Sequence, residues 1–120
     1  MRTPLLFSTI IFSFFIVFGQ TYTGVPDDNF EQYLIEQGYD TVLDDYVLTS
    51  NINGITFLDI SSQGISDLRG IEDFNSLQYL TCSDNLLTEL DLCYSTNLLF
   101  LDCSNNPLTT LDLSHTPYLQ

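Results

Sequence analysis

Three cysteines, one histidine and sixteen acidic residues are the side chains of this 120-residue chain from which a reactive centre could be built. Zinc takes about four ligands at set spacings, and His115 with Cys82, Cys93 and Cys103 forms no such set. A nucleophile needs a base beside it, and a lone histidine without a partner at recognisable spacing makes no triad. The sequence also lacks a glycine-rich phosphate loop. The carboxylates recur at intervals, as Asp91 and Asp112 do, which marks a repeated position rather than one active site. The chain therefore reads as non-enzymatic, with no catalytic residue, no cofactor and no metal site.

Calcium is the cation an acidic chain would attract first. Asp91 and Asp112 supply two carboxylates where calcium takes about six to eight oxygens. Asp44, Asp45, Asn51 and Asn53 lie in a polar stretch that does not match the spacing of a twelve-residue helix–loop–helix calcium loop. Solvated turns account for that stretch, and calcium is left as a lesser partner.

The formal net charge is −14. Arg2 and Arg69 are the two basic residues, and there is no lysine. Such a surface repels phosphate backbones and anionic lipid, which excludes nucleic acid and anionic membrane surfaces as partners.

The elements that must position these residues follow from a repeat. Leu77, Leu80, Cys82, Asn85, Leu87, Leu90 and Leu92 recur 21 residues later as Leu98, Leu101, Cys103, Asn106, Leu108, Leu111 and Leu113. A fixed period of this size predicts a solenoid of stacked coils, because one coil cannot bury its apolar face alone. Leu80 and Cys82, like Leu101 and Cys103, stand two apart and share one face of a short strand. Neighbouring coils then pair those strands as a parallel sheet. Asn85 and Asn106 fall where the chain turns inward, placed to satisfy backbone groups left over in the turns. Leu80, Cys82, Asn85, Leu101, Cys103 and Asn106 thus make up the structural ladder. Cys82 and Cys103 act in it as small apolar fillers, a disulfide between them being the less favoured alternative. Cys93 lies outside it.

The motif LxxLxCxxNxLxxLDL, present over Leu77–Leu92 and again over Leu98–Leu113, resembles the nested 21-residue class of bacterial leucine-rich repeats. The resemblance implies a leucine-rich-repeat solenoid with one short strand per coil and a second strand on the opposite side of each. Ahead of it, Ile55, Leu58, Ile60, Gln63, Ile65 and Leu68 match Leu77 to Leu90 at a step of 22, with Gln63 in place of the asparagine. Ile71, Phe74 and Leu77 follow at spacings of three, and this first coil is similar to internalin-like repeats. Three coils result, at about 55–76, 77–97 and 98–118, with a fourth begun at Leu119. An open coil at that point reads as part of a longer chain.

Residues 1–19 read as a secretory signal peptide: Arg2, an apolar-rich run from Leu5 to Phe18, then Val17 and Gly19 before the cleavage point. As a helix that run would span about 21 Å, short of the roughly 30 Å bilayer core. The location implied is secreted or cell-surface. Residues 20–54 lack the repeat and read as an N-terminal cap. After Pro26, Asp28 and Glu31 are expected as the capping pair of an α-helix, Phe30, Tyr33 and Leu34 as its apolar face, and Gly38 as its stop.

The residues between the ladder positions point away from the core. They form three columns: Phe57, Tyr79 and Phe100; Asp59, Thr81 and Asp102; Ser61, Ser83 and Ser104. Aromatic side chains in a row give a large contact area with few rotamers to freeze, as recognition surfaces require. The alternative is that they cover the sheet as cross-strand neighbours. The functional expectation is an extracellular binding module for a protein ligand, with a glycan as the second choice. The competing class is a structural or adhesive acidic spacer.

Overall fold

The computed structural model describes residues 19–120. The expected signal peptide falls almost wholly outside the described residues.

The N-terminal unit opens with β1 (Tyr22–Gly24), followed by α1 (Asp28–Glu36), β2 (Tyr46–Leu48) and a one-turn helix, α2 (Thr49–Ile52). Strands β1 and β2 pair antiparallel, Thr23 opposite Val47. Helix α1 starts at Asp27: its Oδ1 accepts from Asn29 N at 2.9 Å and Phe30 N at 3.1 Å, filling two of the donors a helix start leaves open. The end is a Schellman turn, with Gly38 N donating to Ile35 O at 3.0 Å and Tyr39 N to Leu34 O at 2.9 Å. Gly38 sits at φ 85°, where a Cβ is penalised.

Two expectations for this unit are corrected. Asp27, not Asp28, is the cap, and Glu31 does not reach back to the helix start. Glu31 is fully buried and accepts from Asp44 N at 2.8 Å and Asp45 N at 3.0 Å. A carboxylate this far inside must find donors, and the loop entering β2 offers two amides where the helix start had already been satisfied by Asp27. The stretch from Asp40 to Asn53 is likewise more than solvated turns, since it contains β2 and α2, and the Asp40 side chain is partly covered.

The repeat region contributes β3 (Phe57–Asp59), β4 (Tyr79–Thr81) and β5 (Phe100–Asp102), paired in parallel in that order. A short 3-10 turn at Ile71–Asp73 lies on the far side of the first coil. Leu58, Leu80 and Leu101 are in register, as are the residues flanking them. The core runs as rows behind this sheet: Leu58, Ile60, Ile65 and Leu68, then Leu77, Leu80, Cys82, Leu87, Leu90 and Leu92. Phe30 of α1 stacks on Phe74 at 6.0 Å, joining helix and first coil into one core. Asp27 completes that junction, its Oδ2 accepting from Ser66 N at 2.9 Å and Asp67 N at 3.0 Å.

Each coil turns inward at a non-glycine residue of positive φ: Ser62 at 58°, Asp84 at 56° and Asn105 at 56°. Small polar side chains tolerate that region better than others. The following residue is the ladder position. Asn85 is buried; its Oδ1 accepts from Gln63 N at 3.1 Å and Ile65 N at 2.9 Å, and its Nδ2 donates to Ile60 O at 2.8 Å and Cys82 O at 3.0 Å. Asn106 repeats this one coil on, accepting from Leu87 N at 3.0 Å and donating to Cys82 O at 2.9 Å. Gln63 does not join the ladder. Its longer side chain stays exposed and donates to Ser61 O at 3.1 Å.

The second strands expected on the opposite side are not present among the described residues. Leu87, Leu90 and Leu92 are buried there, yet 87–92 and 108–113 carry no strand. Short-range turns hold this side instead: Asp91 Oδ1 accepts from Cys93 N at 2.9 Å, Ser95 N donates to Leu92 O at 3.0 Å, and Asp112 Oδ1 accepts from Ser114 N at 2.9 Å. These donors lie just past 87–92 and 108–113, so each segment ends in a local turn rather than running on as an extended strand. The same bonds explain the Asp91 and Asp112 column, whose members shape turns.

Candidate functional site

The outward residues of β3, β4 and β5 are placed by register. Phe57 is opposite Tyr79 and Tyr79 opposite Phe100; Asp59, Thr81 and Asp102 align two residues further on. The aromatic row is 61%, 42% and 45% exposed respectively, so half of each ring remains free for contact. Alternation along each strand sends the intervening leucine inward, fully for Leu58 and Leu80 and partly for Leu101.

Beside the rings lies a polar strip whose members are tied to one another. Asp59 Oδ1 accepts from Ser61 N at 3.1 Å, and Asp102 Oδ1 accepts from Ser104 N at 3.1 Å and Ser104 Oγ at 2.6 Å. Ser83 Oγ donates to Ser61 Oγ at 3.2 Å. The Thr81 hydroxyl beside Asp59, together with Ser61, holds its carboxyl below the usual range. Thr81 Oγ1 reaches no partner in full hydrogen-bond geometry, so its effect is that of a nearby dipole. The Ser104 hydroxyl and amide lower Asp102 in the same way. These carboxylates are therefore firmly ionised, and the face presents apolar rings against a fixed negative edge. Tyr33 of α1 approaches that edge: burial pushes its phenol up, and the charge of Asp59 adds to the effect.

The ladder residues lie behind the face. Cys82 is buried, Cys103 is partly covered, and Cys93 lies outside the ladder; all three are free thiols. Burial pushes the Cys82 thiol up to about 12, with the Cys103 and Asp102 charges acting in the same direction. A thiol so placed is a packing group. His115 is exposed and lies 3.1 Å from Ser114 Oγ through Nδ1, apart from the cysteines.

The structure also brings together residues that the sequence kept apart. Carboxylate oxygens of Glu31, Asp40 and Asp44 lie within 4.8 Å of one another. A cleft of about 280 Å³ beside them is lined by Tyr22, Tyr39, Tyr46, Asp40, Asp44 and Asn51, among others. No periodicity covers this stretch, and the clustering of Tyr and Asp was its only signal.

No family model matches the chain, and no curated protein matches it. Solved structures do. The chain is similar to the functional domain of InlJ from Listeria monocytogenes, described as including a cysteine ladder, at 32% identity and a TM-score of 0.72, covering 83% of this chain and 23% of that one. It is similar to the internalin InlF of the same organism at 23% identity and 0.72, covering 79% and 28% respectively. Internalin C2, again from Listeria monocytogenes, aligns at 24% identity and 0.71, covering 80% and 43%. The chain thus spans between about a quarter and less than half of these structures. The fold is an internalin-like leucine-rich-repeat fold.

Proposed function

We propose that this chain, with its internalin-like leucine-rich-repeat fold, is an extracellular binding module that recognises a protein through the outward face of β3, β4 and β5. The observation that carries this is the exposed aromatic row of Phe57, Tyr79 and Phe100, held in parallel register. Three rings spaced by the sheet offer an apolar strip that a partner can cover without disturbing the core, and Asp59, Asp102, Ser61, Ser83, Thr81 and Ser104 supply a polar rim. The division into a signal peptide at 1–19, a capping unit at 20–54 and repeats at 55–120 belongs to the same reading. In it, helix α1 covers the apolar edge of the first coil of a solenoid, which agrees with the Phe30–Phe74 stack. The inward cysteines at Cys82 and Cys103 are read as a short counterpart of the ladder for which the InlJ domain is described. The test is saturable binding of a protein ligand that the triple variant F57A/Y79A/F100A loses while its thermal unfolding stays unchanged.

A further inference from the structure

The outward face of β3, β4 and β5 carries its charge in a fixed pattern. Asp59 and Asp102 stand two residues beyond Phe57 and Phe100 on the same side of their strands, with Thr81 aligned between them. Two residues of strand advance about 6.7 Å and two strand spacings span about 9.6 Å. The carboxylates therefore make a second line, parallel to the rings, with its two charges one skipped strand apart. Each is fixed in a turn by the residues that follow it: Asp59 Oδ1 by Ser61 N at 3.1 Å, and Asp102 Oδ1 by Ser104 N at 3.1 Å and Ser104 Oγ at 2.6 Å. No basic side chain answers these charges. The chain has no lysine, and Arg69, the sole arginine among the described residues, is bonded to Asp67 at 2.6 Å.

Any occupant of the ring row meets both carboxylates at its flank, so its own charge decides whether it stays. A second copy sets a formal charge of −14 against −14 and is repelled, as is an acidic protein. A wholly apolar segment covers the rings but takes water from the carboxylates and returns nothing. A basic side chain at each carboxylate replaces that water with a charge-assisted hydrogen bond. Spacing then selects the form of the segment. Along an extended strand the side chains of one face recur about every 6.7 Å, and no pair of them falls near 9.6 Å. Along an α-helix, residues seven apart share a face at a separation of about 10.5 Å, and those three or four apart step by about 5 Å, close to the spacing of neighbouring strands. A helix is also about 10 Å across, wide enough to lie over both lines at once.

We propose that the ligand of this face is a basic amphipathic α-helix of a protein partner, laid across β3, β4 and β5 with its apolar stripe on Phe57, Tyr79 and Phe100 and with lysine or arginine side chains one heptad apart on Asp59 and Asp102. The inference rests on the recognition face proposed above and names the chemistry of its partner. The probe is a blocked, alanine-based helical peptide of about 18 residues, with leucines in one stripe and lysines a heptad apart beside it. It is titrated calorimetrically into the full chain next to two versions in which the lysines are glutamine or glutamate. The lysine peptide is expected to bind saturably, the glutamine peptide at least tenfold more weakly, and the glutamate peptide not at all. D59N/D102N keeps an acceptor for both turns, so the sheet stays intact, and it should weaken the lysine peptide at least tenfold. E72Q/E89Q removes the same number of charges from the opposite side of the coils and should change affinity less than twofold. Equal weakening by the two double variants would show general charge attraction and overturn the proposal, as would equal affinity for the glutamine peptide or no saturation with the lysine peptide. F57A/Y79A/F100A separates the two readings. Loss of all peptide binding in that variant, without any preference for lysine in the wild type, leaves the face standing and rejects the basic helix. Unchanged binding of the lysine peptide in it rejects the face itself.

Discussion

The side-chain Oδ1 of Asn85 accepts the backbone amide of Ile65, twenty residues earlier, at 2.9 Å in the buried interior between two coils. The same amide group serves Gln63 N, Ile60 O and Cys82 O, so one side chain closes the turns of two coils. Asn85→Ala leaves at least two buried backbone groups unpaired, and a loss of about 3 kcal/mol is expected, or roughly 10 °C in melting temperature. Asn106→Ala, at a partly covered position, should cost about 1 kcal/mol. Thermal unfolding by circular dichroism checks both, and equal effects would show that burial does not set the cost.

That asparagine was legible in the sequence because its period is the period of the coil. The same holds for Leu58, Leu80 and Leu101 and for the ring row outside them: a repeat fixes which residues are neighbours before any contact is known. Asp27 and Glu31 were not legible in the same way. Their bonds run to Ser66, Asp67, Asp44 and Asp45, which depend on how the helix lies on the first coil, and local spacing carries no information about that docking. The missing second strands have a related cause. Burial of Leu90 and Leu92 follows from their pattern, but whether a buried segment extends as a strand depends on how it ends, and Asp91 closes a local turn on the amide of Cys93 directly after it.

Glu31 gives the stability a pH dependence of definite sign. Its carboxyl is raised from 4.5 to about 7 in the folded chain, so the folded state holds a proton that the unfolded state has released. The contribution is complete below pH 4.5 and is lost as pH rises through about 7. The melting temperature should therefore fall by roughly 5 °C between pH 5 and pH 8. Glu31→Gln should flatten this slope, and a slope unchanged by the substitution would assign it to another group.

Gly70 has φ 107°, and a Cβ there would stand 2.7 Å from the carbonyl oxygen of Gly24 in β1. Both the backbone conformation and the close approach require glycine. Gly70→Ala should destabilise by about 3 kcal/mol by chemical denaturation. Gly54→Ala, where a Cβ meets nothing within 4 Å, is the control and should change stability by less than about 1 kcal/mol.

The three thiols should separate by reactivity. Cys82 is buried and its thiol lies near 12, whereas Cys103 is partly covered and Cys93 lies outside the ladder. At pH 8, iodoacetamide should modify Cys82 roughly 100-fold more slowly than Cys93 in the folded chain, with the difference vanishing in denaturant. Mass spectrometry of the modified peptides reads the order, and rapid labelling of Cys82 in folded protein would contradict the ladder placement.

The most direct test of the recognition face is a binding titration of a captured protein ligand against the wild-type chain and Y79A. Tyr79 is the central ring of the row and its side chain leaves the core untouched, so Y79A should weaken binding by about 2 kcal/mol, or roughly thirtyfold, with melting temperature held within about 3 °C. Saturable binding with the same affinity in Y79A and in F57A/Y79A/F100A would contradict the account and leave the sheet as a spacer surface.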